Sequence, residues 1–292
     1  MKFVKMNGCG NDYVYFDLMK DDRAAESIIG AIPALSDRHF GVGGDGVVLI
    51  MKSGVADARM RMFNADGSEG KMCGNAVRCV GKYLFDNGYV TTTAVRVETA
   101  SGVKPIALCI ENGVCTGATV NMGLPVLEAE KVPVDLSVAG VKTVRTKSGE
   151  NALVDVPVTV CGRTFRITAV SMGNPHCVAF VDEPLEDFDL AKYGAALENH
   201  PMFPERVNAE FVRVGEGNTL AMRVWERGSG ETMACGTGSC ATAVAAVLNG
   251  YADASAPIRV VLTGGVLTIG LRDDGVYMSG DAKVNFTGDV EL

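Results

Sequence analysis

No run of apolar residues in this chain approaches the ~20 needed for a membrane-spanning helix, which excludes a helical membrane protein and leaves a soluble one. The amino terminus, MKFVKMNGCGNDY, has two lysines but neither an apolar stretch of about 7–15 residues nor a small-residue cleavage site. A cytoplasmic location is therefore expected. Histidine is scarce and scattered, at three residues, and no C-x-x-C occurs, so no metal site is expected. Basic clusters are also missing, and with a formal net charge of −8 nucleic acid is excluded as a partner. One glycine string, Gly41-Val42-Gly43-Gly44-Asp45-Gly46, fits G-x-G-x-x-G. It runs into Val47-Val48-Leu49-Ile50, a strand pattern where a dinucleotide site requires a helix. No cofactor motif remains, and the partner that fits is a small polar molecule.

What is present is a duplication. Cys73-Gly74-Asn75-Ala76 recurs as Cys235-Gly236-Thr237-Gly238, and 235 − 73 = 162. Asn87-Gly88-Tyr89 recurs at the same offset as Asn249-Gly250-Tyr251, and Gly10-Asn11 matches Gly173-Asn174 one position further out. The chain is expected to form two like domains, residues 1–119 and 120–278, with segment 279–292 returning to the first. Short β-branched segments dominate, and the spacing predicts one long helix per half. The first runs from about Asn75 to Asp86, stopped by Asn87-Gly88. The second runs from about Thr237 to Leu248 and is small or apolar on every face, as in a helix enclosed by protein. The fold class expected is α/β (α+β): two pseudo-symmetric domains, each a β-barrel-like sheet wrapped around a central helix. Residues 128–160 carry the weakest pattern and read as loops and peripheral strands.

Cys73 and Cys235 each stand immediately before a helix, where unpaired backbone N–H groups and the positive end of the helix dipole point outward. A carboxylate can dock on such N–H groups, and the same field is expected to make each thiol more acidic. Two thiols on opposite sides of one carbon suit removal of a proton from one face and delivery to the other, which is racemisation or epimerisation. The nine cysteines are an odd number and read as reduced. Cys9, Cys109, Cys115 and Cys161 are expected to be small buried hydrophobes, and Cys79 and Cys240 to lie in the core of the helices. Upstream, Arg61-Met62-Phe63-Asn64 aligns with Arg223-Val224-Trp225-Glu226, and Glu69 with Glu231. The frame is kept while Asn64 becomes Glu226, so the site is asymmetric. Glu226-Arg227 sets a carboxylate beside a guanidinium suited to bidentate binding. The loop Asn174-Pro175-His176 mirrors Asn11-Asp12. His39 and His200 read as structural.

The segments from Met62 to Asn75, from Ser171 to His176, and from Trp225 to Gly238 closely resemble the diaminopimelate epimerase family, and the resemblance extends from Met6 to the carboxyl end. It implies a pyridoxal-phosphate-independent enzyme that interconverts LL- and meso-diaminopimelate for lysine and peptidoglycan synthesis, with no cofactor, in a cleft between two similar domains. It implies Cys73 and Cys235 as acid and base, His176 and Glu226 as modulators of their acidity, and Asn11, Asn64, Asn174, Asn208, Glu226 and Arg227 as substrate contacts. Gly74-Asn75 and Gly236-Thr237 become the backbone cradle. Tyr277-Met278-Ser279-Gly280 resembles the segment through which members form homodimers, with Tyr277 at the contact. The chain departs from the family at Ala76, usually Gly, and at Gly46, where some members have Gln. Two rivals stay open: a racemase of another amino acid such as histidine on the same scaffold, and a thiol redox sensor.

Overall fold

The computed structural model describes residues 1–138, 142–146 and 149–292. They divide into two compact units, Met1–Asn121 with Ser279–Leu292, and Met122–Met278. In the first unit the order is β1 (Lys2–Gly8), β2 (Asn11–Leu18), α1 (Ala25–Ser36), β3 (Gly46–Met51), β4 (Ala58–Asn64), β5 (Glu69–Gly70), α2 (Gly74–Asp86), β6 (Ala94–Thr99), β7 (Gly102–Glu111) and β8 (Val114–Asn121). The second opens with a 3-10 turn, Ala129–Lys131, then β9 (Val144–Arg145), β10 (Asn151–Ala152), β11 (Val156–Val160), β12 (Arg163–Ser171) and β13 (Pro175–Phe180). It continues through α3 (Leu190–Glu198), β14 (Asn208–Val214), β15 (Thr219–Glu226), β16 (Gly230–Thr232), α4 (Gly236–Leu248), β17 (Ile258–Leu262) and β18 (Gly265–Arg272). The chain leaves this unit along β19 (Gly275–Asp281), and β20 (Lys283–Asp289) pairs with β1 in the first.

The pairing repeats as the sequence does. β1 is antiparallel to β2, β2 parallel to β3, β3 antiparallel to β4, and β4 parallel to β6. Likewise β12 is antiparallel to β13, β13 parallel to β14, β14 antiparallel to β15, and β15 parallel to β17. Each unit is an α/β arrangement of sheet and helices, and the two are pseudo-symmetric. Even one ion pair is duplicated: Arg61 Nε to Glu69 Oε1 at 2.8 Å and Arg223 Nε to Glu231 Oε1 at 2.9 Å.

The cysteine-headed helices are the inner ones. α2 packs on β1, β2, β4, β6, β7 and β8, and α4 on β12, β13, β14, β15, β17 and β18. Every α4 residue from Gly238 to Ala246 is buried, as its uniformly small or apolar sequence requires. α2 also buries Arg78 and Lys82, which is tolerated because Arg78 donates to the carbonyls of Gly74 and Asp281, and Lys82 to Asp86 and the Cys115 carbonyl. Both helices stop alike, Gly88 and Gly250 adopting φ of +72° and +74°, where a side chain would be strained.

Each unit also has an outer helix that the sequence reading did not anticipate. α1 contains Gly30 and Pro33 and has no side-chain N-cap bond. Burial of Ile28, Ile32 and Leu35 against Val14, Phe16, Val47 and Leu49 contributes roughly 1.5–3 kcal/mol per side chain. That outweighs about 1 kcal/mol for the glycine and about 3 for the proline. α3 packs Leu190 and Leu197 into a cluster with Phe165, Ala209 and Phe211. β3 is thus covered on both faces, which explains why Val47 to Ile50 is apolar without alternation. Cys9, Cys79, Cys115 and Cys240 are buried, but Cys109 and Cys161 are exposed, contrary to expectation. Cys109 follows Leu108 on the outward phase of β7, and Cys161 occupies the left-handed turn between β11 and β12 at φ +50°. Among the described residues no cysteine is paired in a disulfide.

Candidate active site

In the first unit, Cys73 is the N-cap of α2 with extended backbone, φ −129° and ψ 121°. Its Sγ–H donates to Asn11 Oδ1 at 3.2 Å, and Asn75 Nδ2 donates to the same oxygen at 3.4 Å. The Asn11 amide is oriented from behind, since its Nδ2 donates to Asp45 Oδ2 at 2.6 Å. Asp45 in turn holds Arg38 at 2.8 Å, Arg38 holds Asp12 at 2.6 Å, and Asp12 holds the buried Lys5 at 2.7 Å. A chain of alternating charges therefore fixes which atom of Asn11 faces the thiol. Burial opposes the Asp12 charge, but hydrogen bonds from Arg38 and Lys5 outweigh it and hold the carboxyl below its usual range. Gly74 begins the helix, leaving first-turn N–H groups beside the sulfur. Asn64, at the exposed end of β4, donates to Ser68 Oγ at 2.9 Å. Ala76 is buried, and its carbonyl accepts from Tyr15 at 3.5 Å. Gly46 could carry no side chain, because a Cβ would lie 1.9 Å from the Phe63 carbonyl oxygen.

Cys235 occupies the same cap position on α4, at φ −117° and ψ 113°, and is only 5% exposed. Its sulfur accepts from the Gly238 N–H at 3.3 Å and lies 3.5 Å from Thr237 Oγ1. Beside it, His176 Nδ1 meets Glu210 Oε1 at 2.7 Å, and His176 Nε2 meets Asn174 Oδ1 at 3.0 Å. A histidine nitrogen, a Glu210 oxygen and the Cys235 sulfur lie within 4.8 Å of one another. Among the described residues this is the one place where three such donors converge, but His176 and Glu210 are bonded to each other, so the cluster is arranged around a proton. Asn208 is buried and held at both ends of its amide: Nδ2 donates to the Pro175 carbonyl and Oδ1 accepts from Arg227 N–H, both at 2.9 Å. The Arg227 guanidinium donates to the Glu205 carbonyl at 2.8 Å. Glu226 accepts from Thr232 Oγ1 at 2.5 Å, and Gly236-Thr237 forms the helix start. Tyr277 lies apart, its hydroxyl donating to Asp274 at 2.7 Å with Arg272 stacked 4.1 Å from its ring centre.

The expectation that a helix start acidifies both thiols is overturned at Cys235. Burial pushes this thiol well above its ordinary range, the Glu226 carboxyl and any negative charge on Glu210 push it further, and the bonds from Thr237 and Gly238 only partly oppose them. A helix end contributes about 0.3–1 kcal/mol, less than one pKa unit of 1.36 kcal/mol, whereas full burial moves a group by up to several units. Cys235 is a protonated thiol at neutral pH. Cys79, deeper in α2, is lifted by burial to about 12 and is inert.

The sequence reading missed Glu210 and Asp45. Glu210 had a legible signal, a lone acid in the apolar run Asn208-Ala209-Glu210-Phe211-Val212. Asp45 was dismissed together with the glycine string around it.

A pair of α/β units, each with a cysteine capping its inner helix, defines a pyridoxal-phosphate-independent epimerase of the two-cysteine superfamily. The fold is shared with a *Bacillus anthracis* phenazine biosynthesis protein of the PhzF family (TM-score 0.71, 17% identity, covering 100% of this chain and 99% of the other). It is shared too with a probable proline racemase from *Agrobacterium radiobacter* (TM-score 0.69, 14% identity, 100% and 93%). At those identities the likeness speaks for the fold alone. The profile described as diaminopimelate epimerase matches residues 3–128 and 168–285. The diaminopimelate epimerase of *Acetivibrio thermocellus* is 47% identical over 294 residues, covering 100% of this chain and 99% of that one. That of *Desulfovibrio desulfuricans* is 48% identical over 291 residues, covering 99% and 98%. The chain belongs to the diaminopimelate epimerase family, and it is an isomerase.

Proposed function

We propose that the chain interconverts LL- and meso-diaminopimelate by a two-base reaction in which Cys73 and Cys235 are the acid–base pair. The activity is cofactor-independent epimerisation of diaminopimelate in the synthesis of lysine and peptidoglycan precursors. The observation that supports the assignment is the matched placement of the two cysteines as N-caps of the inner helices. One cysteine, as thiolate, takes the α-hydrogen, and the electron pair of the broken C–H bond delocalises into the adjoining carboxylate. The other, as thiol, returns a proton to the opposite face, so the first ends as thiol and the second as thiolate. Inversion requires both. The high proton affinity of Cys235 suits it to the proton-donor role.

The N–H groups of Gly74-Asn75 and Gly236-Thr237 receive the reacting carboxylate, as helix starts receive anions. Glu226 takes an ammonium, Arg227 a carboxylate, and Asn11, Asn64, Asn174 and Asn208 complete the recognition of a substrate with two amino-acid head groups. His176 and Glu226 modulate the thiols. Each inner helix is the axis of a barrel-like sheet. The enzyme works in the cytoplasm as a homodimer that binds no nucleic acid, with the Tyr277 segment at the dimer contact. Among the described residues no helix is long and apolar enough to cross a membrane.

The test is NMR in deuterated water with LL-diaminopimelate. Loss of the α-hydrogen signal should accompany appearance of the meso form. Faster racemisation of histidine or another amino acid with a single head group would reassign the substrate, and absence of α-hydrogen exchange in all of them would remove the activity.

A further inference from the structure

Glu210 is completely buried in the middle of β14, and the reaction as described leaves it without a role. Its neighbours Ala209 and Phe211 turn to the other face, into the cluster that α3 covers. Glu210 itself points towards the start of α4, where a Cβ added to Gly238 would lie 2.6 Å from its Oε1 and 3.2 Å from the Cys235 sulfur. Among the described residues the side chain that its carboxyl bonds is His176, through Nδ1 at 2.7 Å, and its second oxygen is buried with no hydrogen-bond partner.

We infer that Glu210 is a positioning residue for the proton chemistry at Cys235. As an uncharged carboxylic acid it donates its hydrogen to Nδ1 of His176, fixing the ring with Nε2–H on Asn174, and keeps a further negative charge away from the thiol. This rests on Cys235 being an acid–base group of the proposed reaction.

The hydrogen-bond pattern leads to that protonation state. Asn174 presents Oδ1, an acceptor, to Nε2 at 3.0 Å, so Nε2 carries a hydrogen. In a neutral imidazole Nδ1 is then bare and must accept, and its hydrogen-bond partner among the described residues is Glu210 Oε1, which can donate only as the acid. The alternative, imidazolium facing carboxylate, holds the same single proton but places an anionic oxygen in the interior with no donor, the most costly form of an unsatisfied polar group. Among the described residues the surroundings supply no further cation. β13 contributes His176 and, on its other side, the Cys177 thiol; β15 contributes Glu226, an acid; and the start of α4 contributes Cys235. α4 contains no charged residue. α3 and the 3-10 turn Leu185–Asp187 pack on the opposite face with Phe211, and among the described residues no lysine or arginine bonds Glu210. Burial accordingly raises the Glu210 carboxyl, with His176 opposing and Glu226 reinforcing the shift.

The experiment compares the wild type with Glu210→Gln, whose amide can still donate to Nδ1, and Glu210→Leu, which keeps the volume but cannot donate. Alpha-hydrogen exchange is followed against pH, and ¹⁵N-edited NMR reads the His176 tautomer. We expect wild-type His176 to be neutral with its proton on Nε2 at pH 7. E210Q should lower turnover by no more than about threefold, with a pH profile that superimposes on the wild type because no charge has been removed. E210L should lose on the order of tenfold or more, less than the ~10²–10⁴-fold for an acid–base group itself. A wild-type imidazolium at pH 7, an E210Q profile displaced to lower pH, E210Q falling as far as E210L, or E210L turning over like the wild type would each overturn the inference. Should E210L not fold, the tautomer and the E210Q profile decide. A wild type that exchanges no α-hydrogen would instead refute the reaction, and the tautomer reading would still stand on its own.

Discussion

Gly238→Ala puts one methyl group where the Glu210 carboxyl and the Cys235 thiol meet. The new carbon would sit 2.6 Å from Glu210 Oε1 and 3.2 Å from both the Cβ and the sulfur of Cys235. Contacts of this kind settle at about 3.5 Å, so the carboxyl must retreat by nearly 1 Å and the thiol by a few tenths. Helix propensity acts the other way, since alanine is favoured over glycine by about 1 kcal/mol in a helix interior. Overpacking a buried site costs about 1–3 kcal/mol, so the net change in stability should lie between zero and about 2 kcal/mol of destabilisation. Activity is the more sensitive quantity, because a displacement of about 1 Å at a reacting group costs on the order of 10²-fold. Gly30→Ala is the control. It lies in the exposed face of α1 with nothing within 4 Å of an added Cβ, and should stabilise the protein by about 0.5–1 kcal/mol with turnover unchanged. Guanidinium denaturation and the deuterium-exchange assay read both variants. A Gly238→Ala protein about 1 kcal/mol more stable than wild type and within twofold of its turnover would show that the space around Cys235 is not limiting.

Cys73→Ala and Cys235→Ala should each lower epimerisation by at least about 10²–10⁴-fold while leaving thermal stability nearly unchanged; full turnover by either removes the two-base mechanism. Arg227→Lys keeps the charge and loses the planar fork, so KM for diaminopimelate should rise with the fold intact, and an unchanged KM would release Arg227 from substrate recognition. Asp12, held below its ordinary value of 3.8 by Arg38 and Lys5 despite its burial, should stabilise the fold fully above that value and lose the contribution as pH falls through its lower folded one. Asp12→Asn should cost about 3–5 kcal/mol at pH 7, since it leaves Lys5 buried without its counter-charge, and should flatten the acid limb of the stability curve. Parallel curves for variant and wild type would show that another carboxyl controls the limb.

The parts of the fold that could be read from the sequence are those that follow from local chemistry. α2 and α4 were expected from Asn75 and Thr237 onward, and begin one residue earlier, at Gly74 and Gly236. They were legible because their apolar spacing and Asn-Gly stops agree. α1 was not, because Gly30 and Pro33 speak against a helix and only tertiary burial of Ile28, Ile32 and Leu35 forms it. α3 was hidden similarly: Gly194 weakens the local signal, but a Cβ there would sit 2.5 Å from the Trp225 side chain. The exposure of Cys109 and Cys161 depends on strand phase and turn position, which a prior based on residue type ignores.

The site shows why a duplicated frame need not give two equal half-sites. Register makes the correspondence explicit. His176 pairs with Asn208 across β13 and β14 as Tyr13 pairs with Gly46 across β2 and β3, so Glu210 stands where the first unit has Val48. At these two positions the first unit therefore has neither an imidazole nor an acid. Its polar support comes instead through Asn11, whose amide is fixed by Asp45 and faces Cys73 directly. The matching Asn174 does not bond its cysteine but His176. Both asparagines are read from the repeat, but what each does depends on the residue two or more strands' register away, where the repeat has lost its identities. Equal thiols would have no reason to differ in proton affinity. Interconversion of two stereoisomers needs one donor and one acceptor at the start of each turnover, and at Cys235 burial, with the Glu226 carboxyl beside it, favours the donor form without disturbing the helix cap that holds the sulfur.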